Sequence, residues 1–350
     1  IMFDTSESIN IKGITSVPGS ETIGKKEFYK YFDKQDVDKI QSVTGIESLR
    51  VVKEDQCVSD LMLIAGKKLI QSLNWKPEEI KVLVVVTQSY DYQLPATSCL
   101  LQEKLNLGND CACLDINLGC SGYVYGIWLI SKLLNINNKF GLLLVGDTSS
   151  KMVCPYDRAT AMLFGDAGTA TALEFDPKSN KKYFSLYTDG KGSKNLIIPS
   201  SGYRIPVTDK TLKREKVNGG FKPALTDLYM DGTEIFKFTL AQAIPSVKEL
   251  IREYDIDVSR IDYFVFHQAN MFLIEHIIKK LKLDSSKVLT TIKYFGNTSS
   301  ASIPLTMTEH FSKNRLKHES SFLLSGFGVG YSWGNIFMNI KEDTYFETLP

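Results

Sequence analysis

Residues 81–87, Lys-Val-Leu-Val-Val-Val-Thr, form an almost unbroken apolar run. A strand with one face in water alternates polar and apolar side chains, so this run predicts a strand covered on both faces. Residues 142–146, 263–266 and 322–324 read the same way. Between such runs lie segments of helical length at 96–105, 120–134, 232–254, 271–281 and 302–311. Strands buried on both sides need helices on both sides. The chain is therefore expected to be α/β, with mainly parallel inner strands. Further strands are expected at 113–117, 167–175, 288–292 and 333–340.

The order of elements repeats. Leu101-Gln-Glu-Lys-Leu-Asn-Leu107 before one strand echoes Ile278-Lys-Lys-Leu-Lys-Leu283 before another. Each leads through a strand to a glycine-containing turn, which carries Cys120 in one half and Asn297 in the other. An internal duplication is expected, with halves at 1–176 and 177–350 parted at the polar turn Asp176-Pro-Lys-Ser-Asn180. Residues 190–223, rich in Gly, Pro, Ser and Lys, read either as a cover over a site or as a mobile surface loop.

Charge narrows the choice of partner. With 41 basic and 40 acidic side chains, no overall field favours nucleic acid or another polyanion. The six cysteines fall mostly in apolar segments without disulfide-framework spacing, which suits a reducing, cytoplasmic setting. No segment reads as a membrane span, and the first residues lack the apolar stretch of a signal peptide.

Cys120 stands where the strand 113–117 meets the following helix through Leu118-Gly119. A thiol at the positive end of a helix is expected to be drawn toward the thiolate, the form that attacks carbonyl carbon. Small neighbours, Gly119 and Ser121-Gly122, leave room for a substrate. His267, in Phe266-His-Gln-Ala-Asn270, and Asn297, in Tyr294-Phe-Gly-Asn-Thr298, also end apolar segments. Each alone has an ordinary structural explanation. Together they form a nucleophile with two polar groups, placed at strand ends where open sheets bind ligands.

The glycine run Ser325-Gly-Phe-Gly-Val-Gly330 lacks the Lys-Ser/Thr of a phosphate loop and precedes a strand rather than a helix. Its backbone at Gly328, Val329 and Gly330 is a candidate oxyanion loop together with the N–H of Cys120. Cys111-Ala-Cys113 has the wrong spacing for zinc, and no metal is expected.

These motifs resemble the ketoacyl-ACP synthase III family of the thiolase-like superfamily. The likeness runs through Thr44-Gly-Ile46, Leu94-Pro-Ala-Thr97, residues 115–122, Asp157-Arg158, Phe164-Gly-Asp-Ala-Gly168, residues 230–236, His267-Gln-Ala-Asn270, Gly296-Asn-Thr-Ser299 and residues 326–334. The resemblance implies a five-layer αβαβα fold, a homodimer, and a decarboxylative Claisen condensation with Cys120, His267 and Asn297 as catalytic residues. It implies acyl-CoA as donor, malonyl-acyl carrier protein as the second substrate, and no tightly bound cofactor. By position it assigns CoA or carrier contacts to Arg158, Lys237, Gln268, Asn270, Phe272, Lys279 and Lys280. It also places Leu94 across the dimer interface, at the floor of the partner's acyl tunnel.

Two departures concern the carrier side. Lys39-Ile-Gln-Ser-Val43 stands where the family commonly has Trp and Arg, and Phe272 replaces a docking Arg. A specialised secondary-metabolite or surface-glycolipid pathway is therefore an alternative to primary fatty-acid initiation. A non-catalytic partner subunit is another, opposed by the presence of all three polar residues. A papain-like protease would show Cys-Gly-Ser-Cys-Trp, and a degradative thiolase a second cysteine near the C-terminal glycines; neither is present.

Overall fold

In the computed structural model, residues 2–6, 8–217 and 220–350 are described. The doubly buried run is strand β3 (Ile80–Val86), with side chains from Val82 onward alternating between two cores. Val82, Val84 and Val86 face one cluster, and Leu83 and Val85 another. Each such side chain contributes roughly 1.5–3 kcal/mol on burial, so both faces of this strand hold helices to it.

Besides β3, the sequence builds β1 (Met2–Ser6), β2 (Ile9–Pro18), β4 (Ala112–Ile116), β5 (Phe140–Thr148), β6 (Asp166–Phe175) and β7 (Lys182–Thr188). The second half adds β8 (Tyr263–Phe266), β9 (Ser320–Gly328), β10 (Ser332–Ile340) and β11 (Tyr345–Thr348). The larger helices are α1 (Val58–Ser72), α2 (Thr97–Lys104), α3 (Gly122–Leu133), α4 (Ile244–Glu253), α5 (Met271–Leu281) and α6 (Ser302–Phe311). One sheet has the order β11-β2-β6-β5-β3-β4 and the other β1-β7-β10-β9-β8. Helices α3 and α6 fill the core between the sheets. Helices α1 and α2 cover the outside of the first sheet, and α4 and α5 the outside of the second. That is the expected five-layer αβαβα arrangement.

The duplication is visible in backbone detail. In each half the first long strand pairs antiparallel with the last, the last pairs antiparallel with its predecessor, and that strand lies parallel to the next. Helices α1, α2, α4 and α5 all end alike, with a non-glycine residue in the left-handed region at Asn74, Asn106, Asp255 and Lys282. In each the next residue's N–H reaches back five positions, as from Leu107 to the Gln102 carbonyl and from Leu283 to that of Ile278, both at 3.0 Å. The echoed Leu-Asn-Leu and Leu-Lys-Leu are these two caps.

Two expectations are corrected, and two strands are added. The strand expected at 288–292 is a single bridge from Val288 to Phe264, followed by the short helix Ile292–Phe295. The Gln268 side chain takes the Thr291 N–H at 3.0 Å, the group a neighbouring strand would otherwise use. The helix expected at 232–254 is interrupted by a wide π turn at Thr239–Ala243, because Pro245 has no N–H for the preceding turn. The end strands β1 and β11, unrecognised in the sequence, cross between halves: β1 pairs with β7 and β11 with β2.

Candidate active site

Cys120 follows β4 through a tight turn, in which the Gly122 N–H donates to the Gly119 carbonyl at 2.7 Å. Helix α3 starts at Gly122, with Ser121 as its N-cap, so Cys120 precedes the helix rather than opening it. The Ser121 and Ser332 hydroxyls lie 2.7 Å apart and pin the turn to the second half. Behind the sulfur runs the end of β9. An added Cβ on Gly326 would stand 2.7 Å from the Cys120 carbonyl oxygen, so only glycine lets this strand approach.

His267 is 2% exposed and ends β8, with its N–H bonded to the Ser325 carbonyl at 2.8 Å. Its Nδ1 lies 2.8 Å from the Ser302 hydroxyl, and its ring meets Phe327 edge-on. Asn297 is held by the Leu163 carbonyl at 2.8 Å, and its own Oδ1 accepts from the Ser299 N–H at 2.9 Å. Its amide NH2 is left for the cavity it lines. That cavity, about 190 Å³, is bounded by Cys120, His267 and Asn297 together. A second chamber of about 230 Å³ also reaches Cys120.

Electrostatics overturn one expectation. Burial pushes the Cys120 thiol up to about 12, and the nearby Asp147 carboxylate adds to the rise. The Ser299 hydroxyl and the backbone N–H groups of Cys120 and Val329 oppose it without prevailing. A helix end supplies roughly 0.3–1 kcal/mol, less than one pKa unit. The resting group is a thiol. Burial also takes His267 down to about 3, opposed by a backbone hydrogen bond with Ser299, so the imidazole is neutral at pH 7.

Asp147, Ser299 and Ser302 were missed in the sequence. Asp147 is fully buried; it accepts from the Gln88 N–H at 2.7 Å and the Ser300 hydroxyl at 2.6 Å, joining the two halves beneath Cys120. Its signal is legible in hindsight: a carboxylate closing the apolar run Leu142-Leu-Leu-Val-Gly-Asp147.

Sequence comparison matches residues 114–191 to the family described as 3-oxoacyl-[acyl-carrier-protein] synthase III and residues 251–340 to its C-terminal model. The beta-ketoacyl-[acyl-carrier-protein] synthase III of Clostridium acetobutylicum is 33% identical over 94% of this chain and 98% of its own. The chain belongs to the 3-oxoacyl-ACP synthase III family. The synthase III of Clostridioides difficile is 31% identical over 93% of this chain and 96% of its own. The crystal structure of a 3-oxoacyl-(acyl-carrier protein) synthase from Burkholderia xenovorans LB400 superposes with a TM-score of 0.93 at 37% identity, covering 99% of this chain and 98% of that one. Like its relatives by name, this synthase III is a condensing enzyme and an acyltransferase.

The remaining expected positions divide. Asn270 and Phe272 line the Cys120 cavity. Asn270 also caps α5, accepting from the Leu273 N–H at 2.8 Å, and Phe272 packs with tilted rings against Phe236 and His276. Gln268 is a correction: it is buried, bonded to the Phe266 carbonyl and the Thr291 N–H, and lines neither chamber, so it holds the local backbone and does not face a carrier. Lys237 pairs with Glu234, and Arg158 with Asp36; Arg158 lines neither chamber. Lys279 and Lys280 lie seven and eight residues along α5 from Phe272, roughly 10–12 Å from the mouth. Val329 flanks the sulfur through its N–H, whereas Gly330, at φ 134°, forms the turn into β10. Leu94 is 83% exposed and borders neither chamber at Cys120. Of the 190–223 segment, Leu196, Ile197, Ile198 and Ser201 wall the second chamber, as a cover would; residues 218 and 219 lie outside the described residues. Among the described residues no group of His, Cys, Asp or Glu could hold a metal, and no helix is long and apolar enough to cross a membrane.

Proposed function

We propose that this enzyme joins an acyl thioester, carried on CoA, to a malonyl thioester carried on acyl carrier protein, through an acyl-Cys120 intermediate. The observation that carries the reading is the single cavity touched by Cys120, His267 and Asn297. In the first half-reaction the Cys120 sulfur attacks the acyl carbonyl, the bond to the CoA sulfur breaks, and CoA leaves as a thiol with the proton Cys120 gives up. The N–H groups of Cys120 and Val329 face the oxygen as its charge develops. A thiol held at about 12 reacts by losing its proton during attack, not before it.

In the second half-reaction the malonyl carboxylate departs as carbon dioxide, and the electron pair forms an enolate. The neutral His267 imidazole and the Asn297 NH2 hydrogen-bond the thioester oxygen more strongly as that charge grows. Nδ1 lies 2.8 Å from the Ser302 hydroxyl; with that hydroxyl as donor, the imidazole proton sits on Nε2 and faces this oxygen. The carbanion attacks the acyl carbon, the bond to Cys120 breaks, and the thiolate takes one proton from solvent. The product is a 3-oxoacyl thioester.

The same reading makes the enzyme a cytoplasmic homodimer built from halves 1–176 and 177–350. Support for the dimer comes from exposed apolar side chains near the edge strand β4, among them Leu114, Tyr92 and Leu94. Intact-protein mass spectrometry after incubation with an acyl-CoA series tests the function. An acyl mass present on the parent and absent from Cys120→Ser is expected; an unmodified parent with every donor would refute the reading.

A further inference from the structure

The two chambers at Cys120 differ in chemistry. Around the cavity shared with His267 and Asn297 the walls are mostly apolar, including Leu163, Met230 and Phe236. The second chamber is lined by apolar residues, among them Leu196 and Leu228, and by the polar Gln88, Asn117 and Ser149. Ser149 lines this chamber, and among the described residues no protein group hydrogen-bonds its hydroxyl, which stays open to the space. Gln88 Nε2 points to Asn117 Oδ1 at 3.3 Å, which leaves the Gln88 carbonyl and the Asn117 NH2 without protein partners there. A hydroxyl open to such a space is solvated until a ligand displaces its water, and then needs a partner from the ligand.

The proposed chemistry assigns the chambers. The malonyl thioester oxygen must lie against His267 and Asn297, so its carrier arm fills the first cavity while the acyl group already rests on Cys120. The acyl chain then has the second chamber, which also touches the sulfur. A purely hydrocarbon chain there would desolvate Ser149 and the Gln88 carbonyl and give nothing back.

We infer that the acyl group this enzyme loads on Cys120 carries a hydroxyl, or a similar hydrogen-bonding substituent, that meets Ser149 and Gln88. This inference rests on the proposed function. The transfer itself is unchanged: the sulfur–carbon bond to Cys120 forms as the bond to CoA breaks, and CoA leaves as the thiol. The substituent acts only in recognition.

The test compares butyryl-CoA with 3-hydroxybutyryl-CoA, a pair differing by one hydroxyl, in the rate of Cys120 loading read by intact-protein mass spectrometry. Two neutral hydrogen bonds give the hydroxyacyl donor an advantage on the order of tenfold in kcat/KM. Ser149→Ala and, separately, Gln88→Met should each cut that ratio by about threefold or more, with urea unfolding midpoints beside the assay showing that the variants are folded. Equal or faster loading of butyryl by the parent would overturn the inference and leave the condensing reading standing. A parental preference unchanged in both variants would also overturn it. Loading by neither donor would overturn the proposed function and this inference together.

Discussion

A Cβ added to Gly328 would stand 2.9 Å from the Cys120 sulfur, nearer than side-chain carbons are found to approach a neighbour. Gly328 is not among the glycines with positive φ, so alanine there tests this contact without backbone strain. Gly328→Ala should slow acyl loading by tenfold or more and lower stability by roughly 1–3 kcal/mol, the usual cost of overfilling a packed site. Loading assays beside urea unfolding check both. Normal loading would mean the sulfur has more room than the structure gives it.

Alkylation of the free enzyme should report the buried thiol. With Cys120 pushed to about 12, its iodoacetamide rate should rise about tenfold per pH unit from pH 7 to 10, without a plateau. A plateau below pH 8, absent in Cys120→Ser, would contradict a resting thiol. Stability follows the same linkage. The folded state keeps a Cys120 proton that the unfolded chain releases from about pH 9.0, so this contribution is lost as pH rises from there toward about 12. His267 works the other way: its contribution is present above pH 6.5 and is lost as pH falls toward about 3.

His267→Ala and Asn297→Ala should each lower malonyl decarboxylation by roughly 10²-fold, the scale of removing one oxyanion donor. Acylation of Cys120 should fall less, because the Cys120 and Val329 N–H groups remain. Separate assays of carbon dioxide release and acyl loading check this. Equal losses in both steps would make His267 chiefly the base for the thiol.

Leu94 tests the proposed dimer. Standing clear of its own chain's Cys120 chambers, it can gauge acyl length only from across an interface. Leu94→Phe should shift the kcat/KM ratio toward acetyl over medium-chain donors, since overfilling a packed pocket costs roughly 1–3 kcal/mol. An unchanged ratio in an intact dimer would leave Leu94 as interface packing alone.

Lys279→Glu combined with Lys280→Glu should raise KM for a carrier-bound substrate and make it steeply salt-dependent, while the acyl-CoA loading rate stays within about twofold. Both lysines are on the last turn of α5 and away from the cavity, so a protein partner is the target rather than the reacting groups. Unchanged kinetics with every carrier would remove this docking site.

Much of this was legible in the chain. Short, Val-rich apolar runs such as residues 81–87 read as strands covered on both faces, and with helical segments between them they point to an α/β layered fold. Leu105-Asn-Leu107 and Leu281-Lys-Leu283 carried the duplication, because the same helix cap requires the same apolar flanks. Cys120, His267 and Asn297 stood out as polar residues ending apolar segments. Other features needed the folded molecule. Pairing of β1 and β11 with the opposite half joins residues far apart in sequence, and no local pattern encodes such a partner. The protonation of Cys120 was misread because a helix end is a local feature, whereas the burial that outweighs it comes from β9 and the 297–301 turn closing over the sulfur. Gln268 looked like a site residue until the fold brought Thr291 against it. The polar lining of the second chamber likewise gathers Gln88, Asn117 and Ser149 from three separate strand ends. Only packing puts them around one chamber.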